Sequence, residues 1–173
     1  MRKIFFQLLI AIFASTILAL ALANKANARG DMVPFAANYY PGTIIIRTKQ
    51  RALYLVLGDG YAIRYPVGVG RAGQQWAGVS YIDGKYVQPD WAAPPEMRRN
   101  PNDPAQVIPG GSPQNPMGVA AMTLTGGEYA IHGTNQPQSV GGFVSSGCIR
   151  MLNQDVVDLF ARVVVGTPVV VMR

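Results

Sequence analysis

Thr43-Ile44-Ile45-Ile46-Arg47-Thr48, Ala52-Leu53-Tyr54-Leu55-Val56-Leu57 and Tyr61-Ala62-Ile63-Arg64-Tyr65-Pro66-Val67 follow one another with only short breaks between them. The breaks are Lys49-Gln50-Arg51, a polar turn, and Gly58-Asp59-Gly60. β-Branched and aromatic residues suit a pleated, half-buried surface, and Asp-Gly between two apolar runs is a strong hairpin signal. Three short strands joined by tight turns predict an antiparallel meander.

Toward the C-terminus, Gly118 to Thr125 and Tyr129 to His132 read as two more short strands around Gly126-Gly127. After Met151 the period changes. Asn153 is a good N-cap, and Val156, Val157, Phe160, Val163 and Val164 follow helical spacing. Gly166 is expected to end that helix, with Pro168-Val169-Val170-Val171-Met172 as a closing strand. The middle of the chain differs. Eight of its thirteen prolines lie between Pro89 and Pro116, and proline removes donors and fixes φ. That stretch is expected to hold no regular structure. Trp91 and Met97 give it something to pack with, so it reads as an ordered flap. The predicted fold is mostly β, with one C-terminal helix and a long Pro-rich flap.

Toward the N-terminus, Met1-Arg2-Lys3 is basic, Ile4 to Ala23 is almost wholly apolar, and Ala26-Asn27-Ala28 supplies a small-x-small cleavage site. That is the layout of a secretory signal peptide. The apolar run is also long enough to span a bilayer, so residues 4–23 retained as an inner-membrane anchor are the alternative. Either way the domain is exported, to the periplasm or cell envelope. The expected organisation is a signal or anchor over 1–28, a linker over 29–42 and one domain over 43–173.

Without residues 1–28, twelve basic residues face nine acidic ones, a net charge of +3 in place of +6. A modest positive excess suits an anionic envelope. No basic cluster is interleaved with aromatics, which argues against a nucleic-acid partner. One Cys and one His fall short of a metal-ligand set, and nothing in the chain calls for a cofactor.

Those two residues carry the chemistry. Ile131-His132-Gly133-Thr134 and Ser145-Ser146-Gly147-Cys148-Ile149-Arg150-Met151 hold the only imidazole and the only thiol, sixteen residues apart. An unpaired cysteine in an exported chain is a candidate reactive thiol, and imidazole is a thiol's usual proton acceptor. Gly147 permits a tight turn, Ser145 and Ser146 add hydroxyls, and Arg150 adds a fixed charge that can stabilise a thiolate or bind a carboxylate. Backbone N–H groups around Gly147-Cys148 are expected to hold an oxyanion. Glu128 is the one acid close in sequence to His132, so a backbone carbonyl is the expected orienting group for the ring. Against this stands a plainer alternative, since free cysteine often behaves as a small buried hydrophobe and a lone histidine as a core residue.

His132-Gly133-Thr134 followed by Ser145-Ser146-Gly147-Cys148-Ile149-Arg150-Met151-Leu152-Asn153 resembles the L,D-transpeptidase catalytic domain, the YkuD family, over about 43–173. Asn115-Pro116-Met117-Gly118 is similar to another segment of that family. The resemblance implies a mixed-sheet β sandwich. It implies Cys148 as nucleophile, His132 as proton donor and acceptor, and Gly133 as the residue whose carbonyl orients the imidazole. Ser145 and Arg150 resemble motif residues that shape the pocket, and Ser146, Gly147 and, on the flap, Trp91 are further candidate substrate-binding residues. Ser146 departs from the pattern, because many members carry a second histidine there. The implied partners are peptidoglycan stem peptides and, as covalent inhibitor, a carbapenem. The implied reaction is thioester acyl transfer from a stem tetrapeptide to an amine, giving a 3→3 cross-link or anchoring an envelope protein. Water as acceptor would make an L,D-carboxypeptidase. Two other classes compete: a non-catalytic peptidoglycan-binding module, which would bind muropeptides without converting them, and a thiol-redox protein, which would need a resolving cysteine that the chain lacks.

Overall fold

The computed structural model describes residues 30–36, 38–95, 98–126 and 129–173. The signal or anchor segment, Met97, Gly127 and Glu128 lie outside them. Among the described residues, no helix is long and apolar enough to cross a membrane.

The meander forms where the alternation predicts it. Strands β2 (Ile44–Arg47), β3 (Ala52–Gly58) and β4 (Tyr61–Pro66) pair antiparallel in sequence. Asp59 and Gly60, with φ of 52° and 80°, give the two left-handed residues that a tight hairpin turn requires. Residues 29–42 are more than the expected linker. They carry β1 (Asp31–Pro34), which pairs antiparallel with β4 at the sheet edge. Asp-Met-Val-Pro is too short and polar to signal a strand. It is held by the ladder and by buried Phe35, whose ring meets Tyr54 at 4.9 Å under the guanidinium of Arg47.

β13 (Pro168–Met172) makes the sheet mixed, running parallel to β2 and antiparallel to β6 (Gly78–Val87). The first part of β6 pairs with β13. Past a register shift between Ile82 and Gly84, the rest pairs with β9 (Ala120–Leu124). β9 pairs antiparallel with β10 (Ala130–His132), and β10 pairs parallel with β12 (Ile149–Arg150). The strand order is β1-β4-β3-β2-β13-β6-β9-β10-β12. β6 thus hinges two halves that face one core. Ile44, Ile46, Leu53 and Leu55 come from one half, and Met122, Leu124, Ile131 and Ile149 from the other.

The helix α1 (Asn153–Arg162) buries Val156 and Leu159 against that core, while Val157 and Val164 are exposed. Its N-cap is Leu152, without a side-chain cap, so Asn153 is the first helical residue and not the expected cap. It ends at Arg162, before Gly166. Lys85 Nζ donates to the carbonyls of Phe160 (2.7 Å) and Val163 (2.6 Å), closing the helix there. Gly166, at φ 92°, sits in the turn into β13 instead.

The Pro-rich stretch holds one small regular element, contrary to expectation. β7 (Trp91–Ala92) and β8 (Val107–Ile108) form a two-stranded ribbon. Proline lacks an N–H but keeps its carbonyl, and that is what is used here. Buried Asn115 donates from Nδ2 to the carbonyls of Pro89 (2.9 Å), Ile108 (3.2 Å) and Pro109 (3.2 Å). A second ribbon pairs β5 (Val69–Gly70) with β11 (Phe143–Ser145) in parallel.

Candidate active site

The only histidine and the only cysteine lie at the β10–β12 pair of neighbouring strands. The register sets Ile131 against Ile149 and His132 against Arg150. Ile131 and Ile149 are both buried in the core. Successive side chains along a strand alternate faces, so Ala130 and His132 share the opposite face with Cys148 and Arg150. Cys148 immediately precedes β12 and lies one diagonal step from His132. It is a half-buried free thiol.

The turn that presents it is built from its own neighbours. Ser145 is buried, and its hydroxyl donates to the Cys148 carbonyl at 2.6 Å and accepts from the Gly147 N–H at 3.1 Å. Ser145 therefore shapes the turn. Gly147 N–H is committed in the same way, which removes it from the expected oxyanion donors. Gly147 has φ 127°, and a Cβ there would come within 2.2 Å of the Tyr129 ring. Only glycine fits. Trp76 Nε1 donates to the Gly147 carbonyl at 3.0 Å, and the Trp76 ring stacks on Tyr129 at 5.0 Å and 7°.

His132 is fully buried. Its Nδ1 lies 2.6 Å from the Gly133 carbonyl. A carbonyl only accepts, so Nδ1 carries the proton and Nε2 of the neutral ring keeps its lone pair. Burial lowers the imidazole to about 4; Arg150 adds to that, while the Gly133 and Pro116 carbonyls oppose it. Burial pushes the Cys148 thiol up, against the backbone of Ala130 and the charge of Arg150, which both favour the thiolate. Burial thus favours the neutral form of both groups.

Arg150 anchors by its backbone, exchanging hydrogen bonds of 2.8 Å with Gly68 in both directions. Its Nε is buried without a hydrogen-bond partner among the described residues. Ser146 is half-buried and meets Arg71 Nη2 at 3.4 Å. Arg71 also donates its own N–H to the Ser145 carbonyl at 3.0 Å, so β5 delivers this second cation to the rim. Trp91 is half-buried in the β7–β8 ribbon. The aromatics packed at the Cys148 turn are Trp76 and Tyr129 instead. Sequence reading did not single out Arg71, Trp76 or Tyr129. One of only two tryptophans, set in a Gly/Gln-rich stretch with no strand signal, was the clue available. Among the described residues, no cluster of His, Cys, Asp and Glu could hold a metal ion.

Comparison with known proteins places this chain in a family. The family model for the L,D-transpeptidase catalytic domain, YkuD, matches residues 41–171. A probable L,D-transpeptidase ErfK/SrfK of Escherichia coli is 36% identical over 134 residues, 73% of this chain and 42% of that protein. The chain therefore spans under half the length of that relative. A putative L,D-transpeptidase YqjB of Bacillus subtilis is 34% identical over 145 residues, 80% of this chain and 76% of that one. L,D-transpeptidase 3 from Mycobacterium tuberculosis, solved in complex with a faropenem-derived adduct, superposes with a TM-score of 0.61 at 16% identity, covering 76% of this chain and 60% of the other. The catalytic domain of the E. faecium L,D-transpeptidase gives 0.58 at 19% identity, covering 79% of this chain and all of that domain. These two likenesses establish a shared mostly β fold, and the matched family model, with a one-third-identical relative covered over most of its length, makes this chain a member of the YkuD family of L,D-transpeptidase catalytic domains.

Proposed function

We propose that this protein is a peptidoglycan L,D-transpeptidase acting by cysteine acyl transfer. The observation that carries this reading is the single imidazole, pinned through Nδ1 to the Gly133 carbonyl at 2.6 Å and set on the same strand-pair face as the single thiol.

Cys148 Sγ attacks the carbonyl of the L-centre in a donor tetrapeptide while His132 Nε2 takes the thiol proton. The C–N bond to the terminal D-residue breaks, that amine leaves with the proton from the imidazolium, and a thioester remains. An acceptor amine then attacks the thioester. His132 takes its proton, the new amide forms, and the sulfur leaves and recovers a proton from the ring. The Cys148 N–H is the turn donor we assign to the oxyanion, because Gly147 N–H is given to Ser145. Arg71 and Arg150 at the rim suit the carboxylates of a stem peptide. The acceptor we assign is the side-chain amine of a second stem, which yields a 3→3 cross-link. Export rests on the basic, apolar and small-residue pattern of residues 1–28.

Acylation by a carbapenem, read as intact mass, tests this. The wild-type protein should gain one adduct and Cys148→Ala none. His132→Ala should fold and acylate on the order of 10²-fold or more slowly. An adduct on Cys148→Ala, or an undiminished rate for His132→Ala, sinks the assignment.

A further inference from the structure

We infer that Asn153 is a positioning residue for the site: its carboxamide pins the Gly133-Thr134 loop and so fixes which nitrogen of His132 faces the thiol.

Asn153 is the first residue of α1, one past the N-cap Leu152, and its side chain reaches away from the helix. Asn153 Oδ1 accepts a hydrogen bond of 2.9 Å from the Thr134 N–H, nineteen residues away in sequence. The helix start goes without a side-chain cap. The carboxamide oxygen thus serves a distant loop. The neighbouring backbone makes room for it. A Cβ on Gly133 would lie 2.3 Å from Asn153 Oδ1, and one on Gly118 would lie 2.2 Å from it. Gly118 is also at φ 67°, a conformation that favours glycine. Two glycines from two different loops thus close on one carboxamide oxygen.

The consequence runs through a single peptide unit. The Gly133 carbonyl that meets His132 Nδ1 and the Thr134 N–H that meets Asn153 belong to the same planar amide. Holding one end of that plane aims the other. The carbonyl keeps the proton on Nδ1, and Nε2 stays bare toward Cys148. Without Asn153 the peptide plane is free to turn, and the ring loses the acceptor that selects its tautomer. Pro116 brings its carbonyl to the same ring from the Asn115-Pro116-Met117-Gly118 segment, and that segment closes on Asn153 through Gly118. The start of α1, the flap base and the histidine loop therefore meet at Asn153.

The chain has one histidine, so its imidazole nitrogens give one unambiguous set of ¹⁵N signals. In wild type these should report the Nδ1–H tautomer at pH 7. Asn153→Ala and Asn153→Ser should populate Nε2–H. Serine suits a helix start but is one bond too short to reach Thr134. In both variants carbapenem acylation should slow on the order of 10²-fold at saturation, with the half-saturating concentration little changed. Asn153→Asp keeps the acceptor oxygen and should retain the tautomer and most of the rate. Alanine and serine variants with the wild-type tautomer and rate would overturn the inference. Loss of the fold in both, seen by circular dichroism, would also overturn it, by making Asn153 a residue of general stability. The rate readout rests on the acyl-transfer reading, whereas the tautomer readout does not. A wild-type protein that takes no carbapenem, but whose tautomer still follows Asn153, refutes the function and keeps the positioning.

Discussion

His132 and Cys148 are both biased toward their neutral forms by the same cause, burial, acting with opposite sign on a base and an acid. The consequence is kinetic. The proposed mechanism needs His132 unprotonated, and with the ring at about 4 that condition holds down to unusually low pH. The acid limb of kcat/KM for carbapenem acylation should therefore fall near pH 4 and not near the ordinary histidine value of about 6.5. A limb near 6.5 would mean that the ring is solvated or already ion-paired. His132 and Cys148 stood out in the sequence as the only imidazole and the only thiol; a backbone carbonyl as the ring's partner followed from the scarcity of nearby acids, and that it is Gly133's came from the family resemblance. Ser145 was legible only as a hydroxyl near the thiol. That both its hydrogen-bonding roles close the 145–148 turn depends on a backbone path that no local pattern encodes.

The meander and the closing strand were readable because each is a dense apolar run with a turn signal at its end. β6 was not, although it is the longest strand at ten residues. Its inward positions are Ser80, Ile82 and Gly84, so a single large apolar residue marks a strand that joins both halves of the sheet. α1 was readable from its period, but its ends were not. Asn153 bonds to another loop, and Lys85 of β6 supplies the closing contacts. Lys85 Nζ bonds two terminal carbonyls and lies 4.2 Å from the Phe160 ring. Charge near a helix C-terminus and charge-assisted hydrogen bonds both stabilise. Lys85→Met should cost about 2 kcal/mol and lower the melting temperature by roughly 4–8 °C. Arginine at the same position should recover part of this. A melting temperature unchanged in Lys85→Met would show that the helix end does not depend on β6.

Across the whole molecule, two buried titratable groups set how stability responds to acid, and they oppose each other. His132 is lowered to about 4 by burial, so the unfolded chain takes a proton below its ordinary value of about 6.5 while the native ring stays neutral. Its contribution to stability is complete above the unfolded value and is lost as pH falls through the folded one. Asp155, buried in the first turn of α1 with Oδ1 unpartnered, is raised to about 6 by burial and by the nearby carboxylates of Asp158 and Asp31. Its contribution has the reverse course: complete below the ordinary carboxylate value of about 4 and lost as pH rises through about 6. At about 1.4 kcal/mol per pH unit, His132 contributes on the order of 3 kcal/mol, and the less desolvated Asp155 opposes it with a smaller amount across nearly the same window. The two partly cancel, and the unfolding free energy of the wild-type protein should fall less between pH 6.5 and pH 4 than His132 alone would make it. Asp155→Asn removes one side of the balance. At pH 7 that variant should be more stable than wild type, because a costly buried charge is gone. On acidification it should lose on the order of 3 kcal/mol by pH 4, following His132 alone. Urea unfolding at pH 7, 5.5 and 4 measures both slopes. Parallel curves for the two proteins would show that Asp155 is already charged and solvated in the native state, and that the balance does not exist.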